Sequence, residues 1–226
     1  MKTSQQIFND EGYLVLENIL TIDELNAIKQ QLIGIDVVGA GSRELLSETW
    51  CKTLANQLKK HPELSTILPN SSKAIQCTYF QKSLEKNWLV PLHQDLSIPV
   101  KEQFTKEGFT GWSKKQGTLF VQPPSTMANQ IIAVRLHVDD CQQAHGPLKV
   151  VPTSHQLGRI PEKQWITVRD EKGEKECTVN AGGVVIMSPL ILHSSSKATH
   201  ANGRRVLHFL FVPESLTEEI PFLFSA

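Results

Sequence analysis

The sequence predicts a mainly β domain with helices at its N-terminus, built as an antiparallel sandwich or barrel. The chain has 226 residues, the length of about one domain, and its 40% hydrophobic and 20% charged residues are typical of a folded globular protein. Helical patterns stop before residue 74, and short β-rich runs divided by Gly, Pro and Asn follow, with no long helix between them. We therefore expect one domain over residues 1–226, with a mainly helical part at 1–73 and a β core at 74–226.

The N-terminal part holds one predicted strand and two predicted helices. Residues 12–19 are rich in β-forming residues and predict a short strand. Apolar residues at helical spacing predict a helix over 21–33, and Thr21 followed three residues later by Glu24 is typical of a capping box at its start. A second helix is predicted over 48–60, and it ends at a His-Pro pair because proline disfavours helix in the residue before it.

The rest of the chain predicts a succession of short strands. The β-rich runs are 74–81, 88–92, 117–122, 130–138, 147–151, 165–169, 176–179, 183–187 and 205–212. The segment 101–117 has its glycines among Lys and Gln, and we expect a long loop there, either a lid over a site or an ordinary surface loop.

The overall composition excludes several classes of partner. The 23 Lys and Arg balance 23 Asp and Glu, so the net charge favours neither nucleic acid nor an acidic membrane surface. The first residues lack the apolar run of a signal peptide, and no stretch approaches the roughly 18 apolar residues of a membrane span. We therefore expect a cytoplasmic protein with neither a nucleic-acid nor a membrane partner. Its four cysteines are widely separated and are expected to be free thiols.

One segment carries a possible metal-binding pair. His93 and Asp95 lie two residues apart in an extended run, so both side chains point to the same face, about 7 Å apart at the backbone. A third candidate, His193, follows the apolar strand predicted at 183–187. Two imidazoles and one carboxylate on one face of an octahedral ion leave three positions open, as in non-haem Fe(II) oxygenases. The alternative for His93 and Asp95 is a buried polar pair.

Two arginines follow the distal histidine. Arg204 and Arg205 open the last predicted strand, eleven and twelve residues after His193. An arginine at this place can hold the far carboxylate of a bound diacid through a bidentate pair, which a lysine cannot match in geometry. Because neighbouring strand residues face opposite sides, only one of the two can reach the cavity that His193 borders.

Several other polar residues are candidates for the inside of the barrel. Arg135 and His137 alternate with apolar residues along one predicted strand, so they share a face that could contact cosubstrate or substrate. The alternative is that local partners satisfy them or that they are exposed at a sheet edge. Gln76, Lys82 and Trp88, which flank the metal motif on its N-terminal side, are similar candidates.

Two further histidines are expected to be structural. His155 follows a turn-like Pro-Thr-Ser and is expected to organise that loop, and His208 on the last strand is expected to line the core or the cavity.

Taken together, the motifs resemble the phytanoyl-CoA dioxygenase family of iron(II)- and 2-oxoglutarate-dependent oxygenases. The similar stretches are FNDEGYLVLENIL at 8–20, NWLVPLHQDL at 87–96, RLHVDD at 135–140, GPLKVVPTSH at 146–155 and AGGVVIMSPLILH at 181–193. Two positions depart from the family pattern: Gly183 stands where an aspartate is usual, and Thr153 replaces the glycine of a Pro-Gly-Ser-His segment. Both lie at predicted turns, so they affect turn geometry more than metal binding.

The resemblance implies a fold and a set of site residues. The fold is a double-stranded β-helix, a cupin-like jelly roll, with the N-terminal helices packed on one sheet. Carried over residue by residue, the iron ligands are His93, Asp95 and His193. The 2-oxoglutarate anchor is Arg204, with Ser195 on the same carboxylate, and Arg135 is a further candidate contact for the cosubstrate.

The resemblance also implies an activity. Fe(II), 2-oxoglutarate and O2 would hydroxylate an unactivated C–H of a small-molecule substrate, with release of succinate and CO2. A halogenase is one alternative, but it would lack the carboxylate ligand that Asp95 provides. A non-catalytic jelly-roll protein that binds a metal or a small molecule is the other. The sequence does not identify the substrate, whose pocket is expected to involve residues 96–125.

Overall fold

The computed structural model describes residues 2–35, 41–82, 87–199 and 204–226. Its helices are α1 (Ser4–Glu11), α2 (Ile22–Gln31), α3 (Thr49–Lys60), α4 (Ser125–Ala128), α5 (Trp165–Lys172) and α6 (Glu214–Glu219). Its strands are β1 (Tyr13–Leu16), β2 (Lys73–Lys82), β3 (Val90–His93), β4 (Ile98–Val100), β5 (Thr110–Lys115), β6 (Thr118–Gln122), β7 (Ile132–His137), β8 (Leu148–Val150), β9 (Lys175–Cys177), β10 (Val184–Met187), β11 (His193–Ser195) and β12 (Arg204–Val212).

The strands form three antiparallel sheets. A five-stranded sheet has the order β1-β10-β7-β12-β2, and a four-stranded sheet has the order β3-β11-β8-β9. A smaller sheet consists of β4-β6-β5. The five-stranded and four-stranded sheets pack on each other as a double-stranded β-helix, or jelly roll, so the predicted fold class is confirmed.

The five-stranded sheet separates two hydrophobic cores. On β7, Val134 and Leu136 face the N-terminal helices, where they pack with Leu207 and Phe209 of β12. Apolar residues of the opposite face pack with those of the four-stranded sheet. The alternation predicted for β7 therefore holds, and it turns Arg135 toward the space between the two main sheets.

The predicted N-terminal elements are found. Thr21 and Glu24 form the capping box of α2: the Thr21 hydroxyl accepts a hydrogen bond from the Glu24 backbone, and the Glu24 carboxylate accepts one from Thr21 N. α3 ends at His61, before the proline, as expected. The first helix, α1, was not predicted, although Thr3 and Gln6 form a second capping box at its start.

Two predictions for the β region are wrong. Residues 165–169 form the start of helix α5, because Val168 is buried while Ile166 is about half exposed, a spacing that suits a helix lying on a core. The Trp165 indole fixes this helix by donating a hydrogen bond to the Ile160 carbonyl, which overrides the β propensity of the run. The segment 101–117 is only partly loop, because it contains β5, which pairs with β6. Two short strands, β4 and β11, were also missed.

Candidate metal centre

The two histidines of the predicted site meet through strand pairing. β3 ends at His93, β11 begins at His193, and these two residues are direct partners in the four-stranded sheet. Asp95 lies two residues beyond β3, where its backbone N–H donates to the Pro189 carbonyl at 2.9 Å. One ligand atom from each of the three side chains lies within 4.8 Å of the others.

The residue between His93 and Asp95 holds the motif in place. Gln94 is buried, and its amide nitrogen donates to the carbonyls of Gly158 and Leu190. Its amide oxygen accepts a hydrogen bond from Ile160 N at 2.9 Å. Because Gln94 points away from its two neighbours, these contacts fix the strand end from behind while the ligands face the site.

The segment 151–155 supports the distal histidine. The buried Ser154 hydroxyl accepts a hydrogen bond from Leu192 N, next to His193, and donates one to the Val151 carbonyl. Thr153 has a φ of 63°, the left-handed conformation that glycine adopts most readily, so the turn keeps its geometry despite the departure from the family pattern. His155 contacts the Asn9 carbonyl at 3.1 Å and lies outside the three-ligand group, in accord with its predicted role in organising the loop.

The second departure is compensated by a neighbouring strand. A side chain at Gly183 would contact Val179 and the Glu17 carboxylate. That carboxylate accepts a hydrogen bond from Asn180 N at 3.1 Å. Glu17 therefore occupies the space next to the turn that a larger residue at position 183 would need.

The hydrogen bonds of both histidines suit metal binding. The Nδ1 atoms of His93 and His193 lie 2.8 and 2.9 Å from the Pro91 and Ile191 carbonyls. A carbonyl only accepts, so each Nδ1 carries the proton and each Nε2 lone pair is free. The Nε2 atoms lie 3.6 Å (His93) and 3.5 Å (His193) from carboxylate oxygens of Asp95. The free lone pairs and the carboxylate thus converge on one point.

The protonation states of the cluster also suit a divalent cation. Burial acts to raise the pKa of Asp95, but His193, His93 and His208 together lower it strongly, so the carboxyl group is ionised. Burial lowers the pKa of His193 to about 4, so its imidazole is neutral at pH 7. Burial acts to lower the pKa of His93 as well, but the hydrogen bond and charge of Asp95 outweigh it and raise the pKa, so a metal ion competes with a proton there.

A third histidine lies on the other side of Asp95. His208 on β12 places Nε2 3.6 Å from Asp95 Oδ2, and its Nδ1 lies 3.2 Å from Arg135 Nη1. Burial, followed by the charge of Arg135, lowers the pKa of His208 to about 3, so it is neutral. His208 lies outside the three-ligand group but borders the site, and its even spacing from Arg204 on one strand is the sequence signal that could have placed it there.

A second polar group lies two residues beyond His193. Ser195 accepts a hydrogen bond from Lys82 Nζ at 3.1 Å, and this ammonium group also donates to the Ser196 carbonyl. Lys82 is the direct strand partner of Arg204. The Arg204 guanidinium is buried, donates through Nη1 to the Gly146 carbonyl, and has no hydrogen-bond partner at Nε among the described residues.

This group has an unusual concentration of positive charge. Burial, followed by the charges of Arg204 and Arg135, lowers the pKa of Lys82 to about 8. Arg135 is also buried, and burial followed by Arg204 lowers its pKa to about 10. Among the described residues, Lys82, Arg135 and Arg204 form no ion pair with a carboxylate, and such buried cations indicate a site for an anionic ligand.

The neighbouring arginine faces the other side of the sheet. Arg205 forms two contacts of 2.8 Å with the Asp139 carboxylate through Nε and Nη2. The two arginines therefore separate as the strand geometry predicts, and only Arg204 lies on the cavity side.

The remaining candidates are partly placed. Gln76 donates to the Thr78 hydroxyl at 2.7 Å and has a buried amide oxygen without a described partner. The Trp88 ring centre lies 5.6 Å from Lys82 Nζ. His137 is buried, and neither ring nitrogen has a partner among the described residues. Their roles stay predictions.

A jelly roll with two histidines and one aspartate between its main sheets, beside buried cations, defines a protein of the non-haem metal oxygenase class. A model of the phytanoyl-CoA dioxygenase family matches residues 8–206, and the chain belongs to that family. The resemblance drawn from the sequence is confirmed. The family consists of enzymes that depend on iron and 2-oxoglutarate, and structures of similar fold contain nickel or Fe3+ together with 2-oxoglutarate.

Solved structures share the fold at low sequence identity. The chain is similar to apo EctD from S. alaskensis, with a TM-score of 0.70 and 16% identity, covering 95% of this chain and 78% of that one. It is similar to HygX from Streptomyces hygroscopicus with nickel and 2-oxoglutarate bound, with a TM-score of 0.65, 15% identity and coverage of 94% and 87%. The epimerase SnoN with Fe3+, α-ketoglutarate and nogalamycin RO gives a TM-score of 0.67, 14% identity and coverage of 91% and 80%. At these identities, the likeness shows the fold alone.

No curated protein matches the chain in sequence. In the described part of the chain, no helix is both long and apolar enough to cross a bilayer. The cytoplasmic location stays a prediction.

Proposed function

We propose that this protein is an Fe(II)- and 2-oxoglutarate-dependent dioxygenase that hydroxylates an unactivated C–H of a small-molecule substrate. The observation that carries the proposal is the convergence of His93, Asp95 and His193 next to the buried pair Lys82 and Arg204. The first group has the donors that iron(II) prefers, and the second has the charge that a dicarboxylate needs.

His93, Asp95 and His193 would hold the metal, since their free Nε2 lone pairs and the ionised carboxylate already converge. When bound, iron(II) with 2-oxoglutarate and O2 supplies the oxidising power for hydroxylation, and 2-oxoglutarate leaves as succinate and CO2. The protein contributes fixed ligand positions: the carbonyls of Pro91 and Ile191 hold the imidazole rings, and Gln94 holds the strand end.

Arg204, Ser195 and Lys82 would hold the distal carboxylate of 2-oxoglutarate. The Arg204 guanidinium already has one carbonyl partner, and its Nε–H, which has no partner in the described part of the chain, can donate to an added carboxylate oxygen. Ser195 and Lys82 are in mutual contact on the same side, so they complete a cationic socket. Arg135 lies close enough for its charge to affect Lys82, but its guanidinium contacts His208 rather than this socket.

The exposure of the ligands supports one direction of approach for a substrate. The His193 side chain is 3% exposed, whereas those of His93 and Asp95 are 30% and 32% exposed. The open side of the centre is therefore the side of β3 and Asp95. A substrate bound there would cover these residues and keep bulk water from the reacting position.

Hydroxylation is the part of the proposal that needs direct proof, because similar folds support other outcomes. SnoN is an epimerase and SnoK is a carbocyclase. A hydroxylase transfers one atom of O2 to its product, so turnover under ¹⁸O2 followed by mass spectrometry would show one labelled oxygen. A product without ¹⁸O and with unchanged oxygen content would contradict hydroxylation and would favour an epimerisation or a ring closure.

Cofactor binding separates the enzyme from the non-catalytic binding protein. Under anaerobic conditions, Fe(II) and 2-oxoglutarate should give the weak visible charge-transfer band of a bidentate keto acid, and O2 should then give succinate. His93→Ala and Asp95→Ala should abolish the band, while the matched variant His155→Ala should keep it. Absence of the band at saturating 2-oxoglutarate would favour the binding-protein alternative. Loss of the band in His155→Ala together with its retention in His193→Ala would show that the distal ligand is wrongly chosen.

A further inference from the structure

The charges around the centre do not balance when the proposed cofactors are added. Asp95 and the 2-oxoglutarate dianion together carry one more negative charge than iron(II) can neutralise. The same site holds three buried cations, Lys82, Arg135 and Arg204, which exceed this one uncompensated negative charge. Among the carboxylates of the described residues, only Asp95 affects the pKa of Arg135. Among the described residues, a positive excess therefore remains around the centre, although the whole chain has a formal net charge of zero.

Arg135 is set apart from the socket proposed for 2-oxoglutarate. It is the strand partner of His208, whereas Lys82 is the strand partner of Arg204. His208 and Arg204 are four residues apart on β12, which is about 13 Å at the backbone. The Arg135–His208 pair and the Lys82–Arg204 pair therefore occupy different positions along β12, and the distal carboxylate of a diacid held at Arg204 would lie beside the second pair, with its other carboxylate on the metal.

The guanidinium of Arg135 has hydrogen-bond donors that no described residue uses. Nη1 is used by the His208 imidazole at 3.2 Å, and Nε is buried without a partner among the described residues. The edge formed by Nε and Nη2 is the edge that Arg205 uses to grip Asp139. Two parallel N–H groups on such an edge match one carboxylate. The face of the guanidinium lies over the half-buried Phe80, with its centre 5.6 Å from the ring centroid.

Two more cations, Lys115 and Arg43, belong to the surroundings of Asp95. Desolvation and the neighbouring Arg43 lower the pKa of Lys115, and Asp95 acts in the opposite direction, so this ammonium group lies within electrostatic reach of both. Arg43 donates to Gln116 Oε1 at 2.8 Å, which ties the guanidinium to the end of the β5–β6 hairpin. Both charges add to the positive potential near Asp95, which attracts an anion.

We propose that the primary substrate is a small organic carboxylate with an apolar body, and that Arg135 binds its carboxylate while Phe80 packs against the body. This inference rests on the proposed function and names the substrate class for the same site. Arg43 and Lys115 attract the anion, and the Nε–Nη2 edge of Arg135 orients it beside Asp95. Neutral analogues lack the group that these residues recognise.

The test compares acids with their amides on the loaded protein. The protein is first shown to bind Co(II) and 2-oxoglutarate, and it is then titrated with matched pairs from butanoate and butanamide to 3-phenylpropanoate and 3-phenylpropanamide. Calorimetry gives each Kd, and a change in the Co(II) visible spectrum shows that the probe lies beside the metal. We expect at least one acid to bind about tenfold tighter than its amide, or about 1.4 kcal/mol. Equal binding of every pair, or no binding of any acid, would overturn the proposal.

Variants then assign the preference to one residue. Arg135→Gln should reduce the acid preference to less than about threefold while the Kd of 2-oxoglutarate stays within about threefold of wild type. Arg135→Lys should keep part of the preference, and the matched surface variant Arg169→Gln should keep all of it. If Arg135→Gln weakens 2-oxoglutarate as strongly as the acid, Arg135 belongs to the cosubstrate socket and the proposal is wrong.

Two further measurements on the wild-type protein test the proposal without relying on a variant. Acid binding to the wild-type protein should weaken between low and high NaCl, whereas amide binding should not, and this needs no variant to fold. A wild-type protein that binds Co(II) but no 2-oxoglutarate would defeat the proposed function at the first step. Normal 2-oxoglutarate binding without acid preference would defeat only the substrate class.

Discussion

His208 Nε2 lies 3.6 Å from Asp95 Oδ2, about as close as the two histidines that flank the carboxylate in the candidate metal site. The Arg135 guanidinium can only donate, so His208 Nδ1 accepts its hydrogen bond and Nε2 carries the proton toward Asp95. His208 is therefore a positioning residue for the carboxylate rather than a ligand.

This relationship predicts the effect of replacing His208. His208→Phe should weaken Co(II) binding by about tenfold, the low end of what partners of metal ligands contribute, and His208→Gln should restore part of the affinity because its amide can still donate to Asp95. His193→Ala should cost far more. Co(II) titrations of the three variants give the ranking, and equal losses in His208→Phe and His193→Ala would make His208 a ligand.

Arg204 and Arg205 should differ sharply in their effect on the cosubstrate. Arg204→Ala is expected to raise the 2-oxoglutarate requirement by about 100-fold, or about 2.7 kcal/mol at about 1.4 kcal/mol per decade. Arg205→Ala should change it less than about threefold, because that guanidinium is held by Asp139 on the opposite face. Succinate production measured against 2-oxoglutarate decides the matter, and the reverse order would move the anchor to Arg205.

Lys82 makes cosubstrate binding depend on pH. Its pKa in the free protein is about 8, because burial and two arginines disfavour its charge, and a bound dianion should raise that pKa. Below pH 8 the ammonium is charged in both states. Above it only the bound state is charged, so binding takes up a proton and affinity falls as pH rises. Calorimetry at about pH 8.5 in two buffers of different ionisation enthalpy measures the uptake, which Lys82→Met should abolish and the exposed control Lys163→Met should retain.

The segment 101–117 should show two kinds of backbone behaviour. Residues 110–115 form β5 and pair with β6, so their amides should exchange slowly. The residues before β5 lack such pairing and should exchange faster, with protection increasing when substrate binds. Hydrogen exchange followed by mass spectrometry resolves the two parts. Slow exchange throughout the free protein would rule out a lid.

Ser154 should affect stability through the backbone next to His193. Ser154→Ala removes the acceptor of Leu192 N in a fully buried place, which should lower the free energy of unfolding by about 1–3 kcal/mol. The control Ser194→Ala removes a hydrogen bond of 3.3 Å to the exposed Glu174 carboxylate and should have little effect. Urea unfolding of both variants measures the difference, and equal stability of Ser154→Ala and wild type would contradict the assigned role.

Local pattern was sufficient for much of the fold. The Thr21–Glu24 capping box and the alternation along β7 can be predicted from the sequence because they depend on residues close to each other in the chain. The prediction of a strand over 165–169 is wrong because the helical state of these residues depends on packing against residues that are distant in sequence. Strands as short as β4 and β11 carry too few residues for any period to show.

The sequence predicts the residues of the candidate site better than it predicts the residues that surround them. The spacing of His93 and Asp95 and the position of Arg204 identified the polar groups before any contact was known. The contact of His208 with Asp95 joins β12 to the segment after β3, and the electrostatic interaction of Arg43 with Lys115 joins a loop to a hairpin. Neither interaction is encoded in a local motif.

The strand β12 has two different duties on alternate residues. Arg204 and His208 face the site, while Leu207 and Phe209 are fully buried under the N-terminal helices. A substitution that shifts the apolar side of this strand would move the polar side with it, because both share one backbone. Substitutions meant to raise the thermal stability of the enzyme should therefore leave β12 unchanged and be placed on the outer faces of α2 and α3. Substitutions meant to change its substrate selectivity can be placed on the apolar side of β12, which faces away from the site.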